Sequence, residues 1–336
     1  MKAIGYYQSL PIDNAESLQD VELPTPVAGP RDLLVRVKAI SVNPVDTKVR
    51  KNMAPEAGQP KVLGWDAAGT IEAVGAGVKN FKVGDRVYYA GSIVRPGANA
   101  ELHAVDERIA ALAPTSLDDA QAAALPLTTI TAYELLFDRL RVPKNGGAGQ
   151  TLLVTGGAGG VGSILIQLAR QLTQLRVVAT ASRAETRAWC LALGAHAVID
   201  HSKPLAAELK AAGIGEVDMV ASLTQTGQHY AQIIESLKPQ GQLAVIDDLP
   251  TLDAMPLKTK SISLHWEMMF ARSRFETPDI AEQGALLAEV AALVDAGRIR
   301  TTANASFGTI NAANLRKAHA LIESGKAQGK VVLAGF

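Results

Sequence analysis

Ten residues in mid-chain, VTGGAGGVGS at 154–163, carry five glycines between an apolar run and a segment of helical periodicity. Gly157, Gly159 and Gly162 have the G-x-G-x-x-G spacing. Glycines so placed allow a tight turn, close approach of backbone to a pyrophosphate, and close packing of helix on strand. A helix that begins here also offers free N–H groups and the positive end of its dipole to phosphate. In a chain with 29 glycines the spacing alone says little. The setting decides. TLLVTG reads as a buried strand and VGSILIQLARQL as the helix after it, so Gly157, Gly159, Gly160, Val161 and Gly162 are expected to hold a dinucleotide.

The end of the next strand candidate should say which one. A carboxylate there would accept hydrogen bonds from the adenosine ribose of NAD, about twenty residues after the glycines. This chain reads ATASRAETR at 179–187, with Ser182 and Arg183 at that distance, Arg187 one helical turn on, and no acid before them. A hydroxyl and guanidinium groups suit a 2′-phosphate, since Arg offers charge-assisted, bidentate donors. The expected cofactor is NADPH. The glycine loop also fits the T-G-x-x-x-G-x-G pattern of short-chain dehydrogenases, whose chemistry needs a Tyr with Lys four residues later. The six tyrosines, at 6, 7, 88, 89, 133 and 230, have Leu, Pro, Ser, Ile, Phe and Ile there. That pair is absent.

These residues need a scaffold, and 336 residues with 48% hydrophobic side chains suffice for two domains. Lys plus Arg and Asp plus Glu both number 33, so no net field recruits nucleic acid or an anionic membrane. Cys190 is the only cysteine, which excludes an intramolecular disulfide and multi-cysteine zinc sites and suits a reducing compartment. With no signal-like leader and no long apolar run, a cytoplasmic protein is expected. To about residue 124 the chain shows short, Val- and Ile-rich segments punctuated by Pro and Gly, as in DLLVRVKAISVNP and VGDRVYYAGS, and reads as an antiparallel, barrel-like β domain. SLDDAQAAALPLTTITAYELLFDRL then reads as helical, with Ser116 or Asp118 as cap. From 151 to about 265, apolar strands (TLLVTG, RVVATA, HAVID, VDMVAS, QLAVID, SISLHW) alternate with helical patterns, which calls for a parallel sheet covered on both faces. The tail, with helices around 280–296 and 312–325 and a terminal strand GKVVLAGF, could return to the first domain.

The order of these parts, with NPVDTK at 43–48, VLGWDAAGTIEAVGAGVKNFKVGDRV at 62–87 and LTTITAYELL at 127–136, resembles the medium-chain dehydrogenase/reductase superfamily over essentially the whole chain. The resemblance implies an α/β fold: a Rossmann doubly wound parallel sheet at 125–270, and a β-rich GroES-like barrel domain from 1–124 and 271–336. In its zinc alcohol dehydrogenases the catalytic metal is held by Cys, His and Cys; here those positions read Asn43, Trp65 and Leu127. A carboxamide, an indole and an alkyl group are no zinc set, so no metal site is expected. The chain looks like the zinc-free quinone oxidoreductase branch.

Without a Lewis acid, acceptors that spread charge into an enolate or quinol are favoured, and quinones or α,β-unsaturated carbonyls (enones and enals) are the expected substrates. Asn43 and Lys48 are expected near the developing oxyanion or the nicotinamide ribose, with Asp46 orienting backbone or Asn43. The resemblance places Thr131 against the nicotinamide, with Leu223, Thr224, Ile246 and Asp247 bordering the ribose and carboxamide. It gives Phe270 a main-chain contact to the carboxamide and Lys330 a contact to the cofactor. Tyr88 or Tyr89 could present a phenol, though strand alternation lets at most one serve. Two alternatives stay open: an NADPH-binding sensor or scaffold with little turnover, and an enoyl-thioester reductase. A homodimer joined through SISLHW is expected.

Overall fold

The computed structural model describes Met1–Phe336. Contacts divide it into two units, Met1–Ile130 with Phe270–Phe336, and Thr131–Met269. The boundary between Ile130 and Thr131 falls within a helix at 126–133.

The first unit begins with β1 (Lys2–Tyr6), β2 (Gln19–Glu22), β3 (Asp32–Val42), helix α1 (Pro44–Asn52), β4 (Lys61–Val62), β5 (Ala67–Val74), β6 (Arg86–Tyr89), β7 (Leu102–Asp106) and β8 (Ala110–Leu112). Helix α2 (Asp119–Ala123) follows, started by Asp118 and not Ser116: the Asp118 carboxylate accepts from the Gln121 amide at 2.7 Å, and Gln121 reaches back to the Asp118 N–H. Next comes α3 (Pro126–Tyr133), which runs into one π-helical turn at Glu134–Arg139.

The second unit carries β9 (Thr151–Val154), α4 (Gly160–Leu172), β10 (Arg176–Thr180), α5 (Ala184–Ala192), β11 (Ala197–Ile199), α6 (Leu205–Ala211), β12 (Val217–Ser222), α7 (Thr226–Ser236), β13 (Leu237–Val245), α8 (Met255–Lys258) and β14 (Ser263–Trp266). All six strands are parallel, in the order β11-β10-β9-β12-β13-β14. This is the doubly wound arrangement, whose order reverses between β9 and β12. Such strands are apolar on both faces because helices cover both, and Leu152, Leu153 and Val154 of β9 are fully buried, each worth about 1.5–3 kcal/mol. Leu205, Leu209 and Ile233 of α6 and α7 pack on Val178, Val220 and Leu243 from the sheet.

The chain then returns to the first unit with α9 (Ala271–Phe275), α10 (Glu282–Asp295), β15 (Ala303–Ser306), α11 (Ala312–Glu323) and β16 (Lys330–Ala334). There β16 lies between β15 and β3 in the sheet β15-β16-β3-β5-β6-β8, with β7 also paired to β3. A smaller sheet has the order β2-β1-β4. Helix α1 was not expected from its sequence. Its short polar stretch opens on Pro44, which suits a first helical position, and Asn43 precedes it with extended backbone. No helix of the molecule is long and apolar enough to cross a membrane.

Candidate active site

In the second unit the three motif glycines meet different surroundings. A Cβ on Gly157 would lie 2.7 Å from the Ala179 Cβ and 3.1 Å from the Cys190 sulfur, so this glycine lets the loop sit against β10 and α5. A Cβ on Gly162 would lie 2.5 Å from the Gly156 carbonyl oxygen, so here backbone crosses backbone. Gly159 differs. Its φ of −72° suits any residue, and a Cβ would find only the Gly156 oxygen, at 3.4 Å. Nothing within the protein requires a glycine there, which is the pattern of a cradle left open for a ligand.

Gly159 is also the N-cap of α4, where it supplies no capping side chain. The Ser163 amide is the first to bond into the helix, to the Gly159 carbonyl at 2.9 Å. The amides of Gly160, Val161 and Gly162 precede it as helix N-terminal donors, suited to a phosphate. The loop is held from below by the Thr180 hydroxyl, which accepts from the Gly156 amide at 3.1 Å.

At the end of β10, Ser182 and Arg183 are exposed and no carboxylate precedes them; Arg183 meets Glu185 at 3.2 Å. Arg187 is placed otherwise than expected for a phosphate ligand. Its guanidinium donates to the carbonyls of Ala181 at 3.2 Å and Val198 at 2.8 Å, tying β10 to β11. The Thr155 hydroxyl accepts from the Leu223 amide at 3.0 Å, and Thr224 stands beside Gly156. Asp247 accepts from the Thr226 amide at 3.0 Å, so its carboxylate serves the start of α7, while the Ile246 amide bonds to Ser222. Thr131 is buried at the start of this unit. Thr155, Gly156, Thr180 and Thr224 line a cavity at the carboxyl ends of β9, β10 and β12, together with Gln225, Leu205, His201 and His229.

Sequence reading missed an acid pair in this unit. The Glu267 side chain is fully buried; it hydrogen-bonds Glu134 of the π-helical turn and accepts from Arg139 at 2.8 Å. Burial, reinforced by the Glu134 charge, pushes the Glu267 carboxyl up to about 9, so it is a proton carrier at neutral pH. The available signal was an acid inside each of two apolar stretches, TAYELL and WEMMF.

In the first unit Asn43, Asp46, Asp66 and Lys330 form one buried cluster. The Asn43 amide N–H donates to Asp46 at 2.6 Å, and the Gly64 N–H donates to its other oxygen at 3.1 Å. The Asn43 side-chain amide donates to Asp66 at 2.8 Å, and the Leu127 N–H to its second oxygen at 2.8 Å. The Lys330 ammonium donates to Asp66 at 3.0 Å, to the Val42 carbonyl at 3.3 Å and to the Asn43 side-chain oxygen. Burial raises both carboxyls, Asp46 to about 7, while Lys330 acts against the rise.

Two placements therefore differ from expectation. The Asn43 amide expected at an oxyanion is spent inside the cluster with zero exposure, and Lys330, expected at the cofactor, is 3% exposed and balances buried carboxylates. Lys48, on α1, is exposed. Phe270 belongs to the first unit. Its ring meets Trp65 edge-on at 6.1 Å, and its carbonyl accepts from Arg274 and Ser273 at the start of α9. Neither phenol is presented: Tyr88 donates to the Leu287 carbonyl at 2.6 Å and Tyr89 pairs with His103 at 3.1 Å, both buried, with their acidities lowered by desolvation.

Residues 29–115 match the family described as the alcohol dehydrogenase GroES-like domain, and residues 193–333 that described as zinc-binding dehydrogenase. A zinc-type alcohol dehydrogenase-like protein of Staphylococcus aureus is 39% identical over 336 residues, covering 99% of each chain. The 2-methylene-furan-3-one reductase of Solanum lycopersicum is 30% identical, covering 99% of this chain and 79% of its own. The solved Escherichia coli quinone oxidoreductase complexed with NADPH superposes with a TM-score of 0.84 at 26% identity, covering 99% of this chain and all of the other. The zinc of the family description does not fit the residues here. Asn43 is bonded at both ends of its amide, the Trp65 indole N–H donates to the Ser92 carbonyl at 3.1 Å, and the Leu127 side chain has no atom that could ligate a metal. Both carboxylates at this place already accept from N–H groups and Asp66 from an ammonium.

Proposed function

The chain belongs to the medium-chain dehydrogenase/reductase superfamily, and from that premise we propose that it is an NADPH-dependent oxidoreductase that reduces quinones or α,β-unsaturated carbonyls without zinc. One observation carries the reading: where a metal would be ligated, the Lys330 ammonium is bonded to Asp66 and Asn43, closing the place to a dication. The donors of Gly160, Val161 and Gly162 and the open face of Gly159 would hold the pyrophosphate, and Ser182 with Arg183 the 2′-phosphate. The bound nucleotide supplies the hydride.

The protein's own part is binding and orientation. Asn43, Asp46 and Lys330 act as positioning residues, since they fix the start of α1, the helix that presents Lys48 at the surface. Lys48 is the candidate to face the charge that develops on the acceptor oxygen. β14 is an edge strand whose Trp266 is 49% exposed, and it supports a homodimer formed through that edge.

The test is NADPH oxidation with 1,2-naphthoquinone and a 2-alkenal, set against NADP⁺ reduction with simple alcohols, each with and without a chelator. Turnover of the conjugated acceptors that survives chelation supports the reading. Chelator-sensitive oxidation of alcohols would overturn it, and tight nucleotide binding with no turnover over a broad acceptor panel, enoyl thioesters included, would favour a sensor.

A further inference from the structure

The Glu134–Glu267 acid pair has no task in the proposed reaction, and its place in the chain is particular. The chain passes between its two units twice, at Ile130–Thr131 and at Met269–Phe270. Glu134 lies three residues beyond Thr131 and Glu267 two before Met269, so their hydrogen bond joins the two crossing segments directly. The backbone is shaped for this contact. A regular helix turns about 100° per residue, which would set Arg139 about 140° round from Glu134. The π-helical turn, in which the Leu140 amide donates to the Leu135 carbonyl at 2.9 Å, brings residues five apart to nearly one face, and Glu134 and Arg139 both reach Glu267. Both acids are buried, and Arg139 gives them a single positive charge. Two carboxylates against one guanidinium would leave a net negative charge in a buried place, so the pair keeps one proton between its oxygens.

We propose that Glu134 and Glu267, sharing one proton, form a clasp that fastens the two crossing segments to each other and so fixes Thr131, one helical turn ahead of Glu134. Loss of the proton sets two buried negative charges against each other and releases both segments together. The clasp stands apart from the NADPH reading; only what Thr131 meets rests on it. The other charged groups about the pair are few. On the helical side Asp138 is half-buried, and Lys144 lies over the Tyr133 and Phe137 rings at 5.3 and 5.9 Å. β14 itself carries His265, whose imidazole is held below its ordinary pKa by burial and by the Arg141 and Arg139 charges. β13, paired to β14 over Gln242–Val245, brings no charged side chain there. The sign follows. Burial and the Glu134 charge raise the Glu267 carboxyl to about 9, so the clasp is closed at neutral pH and opens as pH rises through that value. At about pH 10 about one pair in ten keeps its proton.

Hydrogen exchange of the whole chain, expressed as protection relative to the intrinsic rate, tests the clasp in the wild type, Glu267→Gln and Glu267→Leu at about pH 7 and about pH 10. In the wild type, protection over 131–139 and 263–269 should fall together, about tenfold, while that of β9 holds. Glu267→Gln, whose side-chain N–H can donate to Glu134 at either pH, should keep its protection at both, and Glu267→Leu should lack it at both. The infrared difference between the wild type and Glu267→Gln should show the carbonyl band of a protonated acid at about pH 7 and lose it by about pH 10. Should Glu267→Leu fail to fold, the wild type and Glu267→Gln decide alone. Wild-type protection that stays level with pH, falls over one segment only, or falls as far in Glu267→Gln overturns the clasp, as does absence of the band at about pH 7. Failure of all three proteins to bind NADPH would bring down the nucleotide reading and leave the exchange result to judge the clasp.

Discussion

The two polar centres of the molecule are opposites in design. In the first unit, Asn43, Asp46, Asp66 and Lys330 spend their hydrogen bonds on one another and on backbone, and none is more than 3% exposed. In the second, the glycine loop turns amide donors outward and leaves the face of Gly159 clear. Polar residues that satisfy each other stiffen a frame, whereas polar groups left unsatisfied invite a ligand. A residue type that looks catalytic in a motif, such as Asn43, can therefore belong to the frame.

That contrast can be broken most forcefully at Lys330. Lys330→Met strands buried Asp66 without its cation and should cost about 3–5 kcal/mol in urea unfolding, of which Asp66→Asn in the same chain should restore a large part. A loss confined to activity, with stability unchanged, would make the cluster part of the chemistry. The loop should behave in the reverse sense. Gly162→Ala drives a Cβ into the Gly156 carbonyl and should cost about 1–3 kcal/mol of stability. Gly159→Ala should leave the melting temperature unchanged and weaken NADPH about tenfold, about 1.4 kcal/mol. Arg183→Ala should narrow the gap between the thermal shifts given by NADPH and NADH, by no more than about 1 kcal/mol because Arg183 is 44% exposed. One further effect, read against pH, concerns Glu267. Its folded-state pKa is raised above the ordinary 4.5 to about 9, so its protonated form stabilises the fold at low pH and that contribution is lost as pH rises through this window. Glu267→Gln should therefore gain on the wild type in unfolding experiments as pH is raised from about 5 to about 9; a constant difference across that range would contradict the assignment.

Much of the second unit was legible because its signals are local. Strand and helix periods alternate along it, and a glycine loop occupies adjacent positions. The end of β10 likewise showed its lack of an acid. The rest depended on chain closure. Lys330 and Asp66 are 264 residues apart, and Arg139 lies 128 from Glu267, so no spacing rule joins them. Arg187, assigned to the cofactor by its spacing, and Asp247, assigned by resemblance, instead spend their side chains on the Ala181 and Val198 carbonyls and on the Thr226 amide at the start of α7. Helix α1 escaped because too few of its residues are apolar to set a period, although Pro44 and the Asn43–Asp46 pair mark its start in hindsight.

The insertion of β16 between β15 and β3 orders events during synthesis. The second unit is one continuous stretch, Thr131–Met269, and can close as soon as it leaves the ribosome. The first unit waits, its large sheet missing an interior strand and its buried carboxylate missing the Lys330 cation until β16 emerges. A nascent chain stopped just before Lys330 should therefore resist protease over Thr131–Met269 while the segment before it is still digested.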